Sequence, residues 1–451
     1  MKTSVEFRPK YTHLTVFCIF YFLLLFIIFC YFPSWHAGQD FRENMSSITL
    51  VEPDWLRSLS ERQPVLADLL SRTTDEQRRL GYFHTIREIC QQPFTWLQTS
   101  TVMRSHTDKL MSVLSGVQSI TLTGSGSSEY AAHCVRLPLQ NDFGVATQAV
   151  SGGAFLTHGK NALPLGRPGL MVSIARSGDS PESAGALALV LKADPGVRQL
   201  VITCNEQGLL AQEYSDDPKV LVITLPPETN DRGLVMTSSF TNLVLAARYL
   251  GMTSDFRSYQ KICEALSRLA STFFSAHFGK LADVGKGKFH RAVFLGSGSR
   301  FAAAREAALK MLEMTAGRVA TLPETFLGLR HGPMSYVDNQ TLIVCFLSSN
   351  PLLRAYEADL MRELDQKELG VQKVVVGESI PVELLREKDV ALECNGLNQL
   401  GDDNACVIDV IASQLLAFFR CMAEELKPDS PSESGVISRV VQKFTLHSTE
   451  N

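Results

Sequence analysis

The sequence predicts an α/β fold made of two duplicated parallel-sheet domains behind a helical lead-in. Three observations carry that prediction. From Ile120 onward, short apolar runs alternate with helical stretches, the pattern of a parallel sheet covered on both faces. A glycine turn, Gly124-Ser125-Gly126-Ser127, recurs as Gly296-Ser297-Gly298-Ser299, an offset of 172 (296 − 124). Residues 53–118 are helical in pattern.

At 451 residues the chain has room for two or three domains, and 45% apolar with 20% charged residues is ordinary for a folded protein. Net charge is −4, and no basic block or interleaved aromatic stripe occurs, so nucleic acid is not an expected partner. The ten cysteines form no C-x-x-C pair, and most (Cys134, Cys204, Cys345, Cys406, Cys421) fall in apolar strands or helices. They read as buried, reduced thiols in a cytoplasmic protein. No HExxH or Cys/His cluster is present, so neither a metal nor a cofactor is predicted.

The N-terminus departs from this. Residues 14–32 run 19 positions without a charge, after Lys2, Arg8 and Lys10. That length spans a bilayer, and the basic flank would place the rest outside the cytoplasm. A cytoplasmic body argues instead for Met45 as the start, with residues 1–44 an upstream extension of the reading frame. A single-pass anchor is the alternative.

The expected domains are a lead-in over 45–103, a first α/β domain over 104–280 and a second over 281–451. In the lead-in, Thr73-Thr74-Asp75-Glu76 reads as a helix cap, and Gln91-Gln92-Pro93 as a break ahead of Trp96. Residues 120–132, 170–183, 200–206 and 220–225 each supply a strand, and 236–249 and 259–274 read as helices. Shifted by 172, Ser177 lands on Ser349, and Val201–Thr203 on Lys373–Val375. Three strand ends thus align without a gap, which indicates duplication.

The copies differ where chemistry is expected. The first carries a hydroxyl-rich loop, Arg176-Ser177-Gly178-Asp179-Ser180, at a strand end beside the Gly124 turn. Ser125, Ser128, Ser177 and Ser180, with Arg176 adding charge, suit a phosphate at a helix start; capping of a helix by Ser180 is the competing explanation. No GK[ST] follows either turn, which excludes a Walker loop, and GxGxxG spacing is lacking. The second copy has an apolar loop, Ser348–Leu353, but its helix brings Glu306, Lys310 and Glu313 onto one face, followed by Arg330-His331-Gly332-Pro333. Carboxylate, amine and imidazole near an anion cradle suit proton transfer on a phosphorylated substrate. A solvated Glu–Lys face is the alternative.

These motifs resemble the sugar isomerase (SIS) domain, a flavodoxin-like αβα unit. Two copies with EAALKMLE and LRHGP resemble the isomerase half of glucosamine-6-phosphate synthase. EICQQPFTW (88–96), ARSGDSPES (175–183), DRGLVMTSS (231–239) and SESGVISRVVQ (432–442) are similar to the AgaS-type sugar-phosphate isomerase/deaminase family, over residues 75–445. The resemblance implies that Ser128, Ser177 and Ser180 bind the sugar phosphate and that Glu313 shuttles a proton between C1 and C2. It also implies that Lys310 assists, that His331 opens the ring, and that a homodimer completes the site. A C-terminal lysine of the synthase has its counterpart at Arg439, which cannot release a proton at ordinary pH. The glutaminase domain is absent, so glutamine-dependent transfer is excluded.

The implied reaction is isomerising deamination of galactosamine 6-phosphate to tagatose 6-phosphate and ammonia, in amino-sugar (N-acetylgalactosamine) catabolism. Its water-consuming last step places it among hydrolases as well as isomerases. A buried Glu313, its pKa raised by desolvation, is expected to act near neutrality. The rivals are simple aldose–ketose isomerisation of a hexose phosphate and a non-catalytic phosphosugar-binding regulator.

Overall fold

The computed structural model describes residues 53–432, 434–441 and 444–447, all within one unit that begins at Pro53. Segment 14–32 and Met45 lie outside the described residues. Six helices lead in between Asp54 and Leu114. The break before Trp96 occurs at Gln91, with Pro93 tolerated at the second position of helix Gln92–Ser105. Thr73 Oγ1 accepts from Glu76 N at 3.3 Å, and Gly81 (φ +71°) ends that helix. The lead-in is continuous with the main core: Trp96 is fully buried and donates Nε1–H to Thr241 Oγ1 at 2.9 Å.

The first sheet comprises β1 (Ser119–Gly124), β2 (Ala146–Ser151), β3 (Gly169–Ala175), β4 (Val197–Thr203) and β5 (Val220–Thr224). The second comprises β6 (Arg291–Gly296), β7 (Ala320–Thr325), β8 (Thr341–Phe346), β9 (Gln372–Gly377) and β10 (Val390–Glu393). Their orders, β2-β1-β3-β4-β5 and β7-β6-β8-β9-β10, are the same flavodoxin-like arrangement, and every ladder is parallel. Central strands β1, β3 and β8 are buried along their whole length, which is why β3 and β8 read as nearly continuous apolar runs.

The ladders test the duplication residue by residue. Ser119 pairs with Gly169, and Arg291 pairs with Thr341, so the offset of 172 holds across the first two strands. It does not hold at the third. Ser173 pairs with Val201, while Cys345 pairs with Val375, an offset of 174 (375 − 201). The expected gapless alignment onto Lys373 is therefore corrected by two residues, inserted between β8 and β9.

Helices Ser127–Phe143, Ser299–Met314 and Asp402–Ala423 pack on one another between the two sheets. Helix 402–423 is the one described helix long and apolar enough to cross a membrane, and 89% of its apolar window is buried in the protein. Helix Phe256–Gly285 runs well beyond the expected 259–274, starting at Asp255, whose carboxylate accepts from Ser258 N at 3.1 Å. All eight cysteines among the described residues are free and buried.

Candidate active site

The C-terminal ends of β1 and β3 flank the point where strand order reverses, the usual binding crevice of an open α/β sheet. At the end of β1, Gly124 allows a close approach: a Cβ there would lie 2.6 Å from the Ser128 carbonyl carbon. Gly126, at φ +59°, starts helix 127–143. Ser125 Oγ is a buried hydroxyl with no hydrogen-bond partner, and Ser127 and Ser128 are buried beside it. After β3, Gly178 turns at φ +70°. Ser177 Oγ accepts from Asp179 N at 3.2 Å, and Ser180 Oγ accepts from Ser183 N at 3.4 Å, so Ser180 does cap helix Pro181–Ala193. Asn205 Nδ2 donates to Ser177 O at 2.9 Å and Leu209 N to Asp179 Oδ1 at 2.9 Å, which fixes the loop from β4. The two serine loops meet at Gly152, where a Cβ would lie 3.1 Å from Ser125 Oγ and 3.2 Å from Glu182 Cβ.

Arg176 does not face this cradle as expected. It is buried, and its guanidinium donates to Leu234 O at 2.9 Å and to Arg439 O. Burial lowers its pKa, with Arg439 adding repulsion. Arg439 in turn donates to Asp231 O at 2.7 Å and to Asn230 Oδ1 at 2.5 Å. The C-terminal segment is thereby tied across the first domain beside β3.

The second domain supplies the titratable groups. Helix 299–314 carries Glu306 and Lys310, both buried, and Glu313, whose side chain is 25% exposed. Lys310 Nζ lies 3.3 Å from Glu306 Oε1, donates to Glu313 Oε2, and crosses the domain boundary to donate to Ser127 Oγ at 3.0 Å. The carboxyl that burial pushes up is Glu306, to about 7, with Lys310 opposing the shift. Glu313 is therefore not the buried carboxyl expected of it. Lys310 itself is held above its usual value: burial opposes its charge, but Glu306 and Glu313 outweigh it. His331 is exposed on a loop after β7, away from the trio's contacts.

The Gly296 turn is not an open cradle either. Ser297 Oγ donates to Glu357 Oε1 at 2.7 Å, Ser348 N to Glu357 Oε2 at 2.8 Å, and Ser349 N to Asp402 Oδ1 at 2.7 Å. Carboxylates of the chain take the donors that would hold a phosphate. The apolar sequence after Ser349 signalled a lost site, but not what closes it.

Three participants escaped the sequence reading. Ser127 was read only as part of a turn. Glu88 and Asp231 organise the loop beneath Arg439. Asp231 accepts from Thr237 N at 2.7 Å, Ser238 N at 3.1 Å and Ser239 N at 2.9 Å, which starts helix Ser238–Arg248 two residues later than expected. Glu88 accepts from Arg232 N at 2.5 Å and Gly233 N at 3.2 Å. An Asp followed by a Thr-Ser-Ser run was the available signal.

No family model matches the chain. An AgaS protein of Streptomyces coelicolor is 36% identical over 375 residues, covering 81% of this chain and 95% of that protein. The D-galactosamine-6-phosphate deaminase AgaS of Shewanella sp. (strain ANA-3) is 33% identical over 390 residues, covering 83% and 94%. Among solved structures, tagatose-6-phosphate ketose/aldose isomerase from Escherichia coli superposes with a TM-score of 0.72 at 29% identity, covering 78% of this chain and 96% of that one. These relatives are named deaminases and isomerases, which overturns the hydrolase class expected from the sequence.

Proposed function

The chain belongs to the AgaS family of sugar-phosphate deaminases, and on that premise we propose that it converts galactosamine 6-phosphate to tagatose 6-phosphate and ammonia. The observation that carries the reading is the contact of Lys310, beside Glu313, with Ser127 in the first domain's serine turn. It brings proton-transfer groups of one half to the anion-binding loops of the other.

In the proposed sequence the serine loops at 125–128 and 177–180 hold the phosphate of the open-chain amino sugar. Glu313 removes the proton from C2, and the electron pair forms the C1–C2 double bond of an enolamine. The same carboxyl returns the proton to C1, leaving an imine at C2. Water adds there, ammonia leaves, and the ketose phosphate remains. Lys310 stabilises the negative charge that develops at the C1 oxygen. Arg439 supplies fixed positive charge nearby. We assign ring opening to His331 and place it in a site completed by a second copy of the chain, as its exposed loop suits. The buried thiols and the phosphorylated substrate support a cytoplasmic location.

Ammonia release is to be measured with galactosamine 6-phosphate beside glucosamine 6-phosphate, N-acetylated controls and a hydroxy-hexose phosphate. Glu313→Gln should lower turnover by about 10²- to 10⁴-fold with phosphosugar affinity nearly intact. Normal ammonia release from that variant would reject the assignment. Turnover of the hydroxy sugar alone would replace deamination by plain isomerisation.

A further inference from the structure

We infer that Ser127 is a positioning residue that couples the anion-binding turn to the proton-transfer groups by holding the Lys310 ammonium. This rests on the deaminase reading above. Ser127 opens helix 127–143, yet its hydroxyl makes no cap for that helix, and the preceding residue, Gly126, has no side chain to cap with. Instead Ser127 Oγ accepts from Lys310 Nζ at 3.0 Å. An ammonium has three protons; Lys310 Nζ donates to Ser127 and to Glu313 and lies 3.3 Å from Glu306 Oε1. Both side chains of the contact are almost wholly buried, so water does not substitute for the hydroxyl. Ser125 and Ser128 lie on either side of Ser127 in the same turn. A phosphate seated there orders the turn, and Ser127 passes that order to Lys310 and thence to Glu313. The duplicate serine, Ser299, is engaged differently, with its hydroxyl on Asp403 at 2.7 Å, so this coupling belongs to one of the two turns.

The test compares wild type, Ser127→Ala, Ser127→Thr, Lys310→Met and the Ser127→Ala/Lys310→Met pair for ammonia release from galactosamine 6-phosphate. Ser127→Ala should lower kcat by about 10- to 100-fold while KM changes by less than about 3-fold. Threonine keeps the hydroxyl and should restore most of the loss. In the double variant the serine change should add almost nothing to the lysine change. Unchanged kcat in Ser127→Ala, no rescue by threonine, or full additivity with Lys310→Met would each overturn the inference while leaving the deaminase reading in place. An inactive wild type would overturn both.

Discussion

Arg300 and Asp409 form a bidentate ion pair with no exposed surface on the carboxylate, Nε to Oδ2 at 2.8 Å and Nη2 to Oδ1 at 2.5 Å. The offset of 172 puts Arg300 where the first domain has Ser128. A guanidinium therefore fills the second turn from within, and it also donates to Leu347 O at the end of the adjoining strand. Burial raises the Asp409 carboxyl to about 6 despite Arg300. Breaking such a pair leaves an uncompensated buried charge, a loss of about 3–5 kcal/mol. Asp409→Ala should show that loss in denaturant unfolding near neutral pH; a change below about 1 kcal/mol would mean the pair is dispensable.

Gly208 sets the height of the loop proposed to hold the phosphate. Its φ of −74° suits any residue, but a Cβ would lie 2.0 Å from Ser177 O, a backbone atom. Gly208→Ala must therefore displace Ser177, and Asn205, which donates to that carbonyl, moves with it. The expected result is at least about 10-fold weaker binding of the phosphosugar with the fold retained, since a misplaced positioning group costs affinity and rate together. Calorimetric titration and circular dichroism separate the two effects. Unaltered affinity would remove Ser177 from the binding loop.

Glu88 and Asp231 make stability fall with pH. Burial, then the Asp231 charge, raises the Glu88 carboxyl from its ordinary 4.5 to about 8. The folded state thus binds a proton that the unfolded chain has released between pH 4.5 and about 8, so stability declines as pH rises through that window. Glu88→Gln removes the titration and should flatten the fall in melting temperature between pH 5 and 9. An identical slope in variant and wild type would place the proton elsewhere.

What the sequence disclosed was local. Each glycine turn is visible as GSGS because positive φ and close approach demand glycine there, and apolar runs mark strands such as β3 and β8 that are buried on both faces. What it hid was contact across distance. Lys310 meets Ser127 over 183 residues and Arg300 meets Asp409 over 109, and no periodicity records such pairings. The same gap explains two misplacements. Arg176 looked like phosphate charge because it adjoins the loop, whereas the C-terminal segment returning from afar takes its guanidinium. Glu313 looked buried because its helix is alanine-rich, but helix 299–314 turns Glu306 inward and leaves Glu313 at the rim. The two-residue insertion before β9 is revealed by the ladder, in which Ser173 pairs with Val201 but Cys345 with Val375.

Lys310 is the group on which two carboxyls depend, and its removal has a pH signature. Without the ammonium, Glu306 and Glu313 face each other with no cation between them. Glu306, already raised from 4.5 to about 7, would then hold its proton to still higher pH. The folded state binds the extra proton, so the penalty grows as pH rises through neutrality. Lys310→Met should therefore lose about 3 kcal/mol or more at pH 8 and distinctly less at pH 6. Adding Glu306→Gln removes the buried charge and should recover most of the loss at pH 8, with turnover no higher than that of Lys310→Met. Unfolding of the single and double variants at both pH values checks this. A loss independent of pH, or one that Glu306→Gln deepens, would show that Lys310 is held by packing and not by the carboxyl pair.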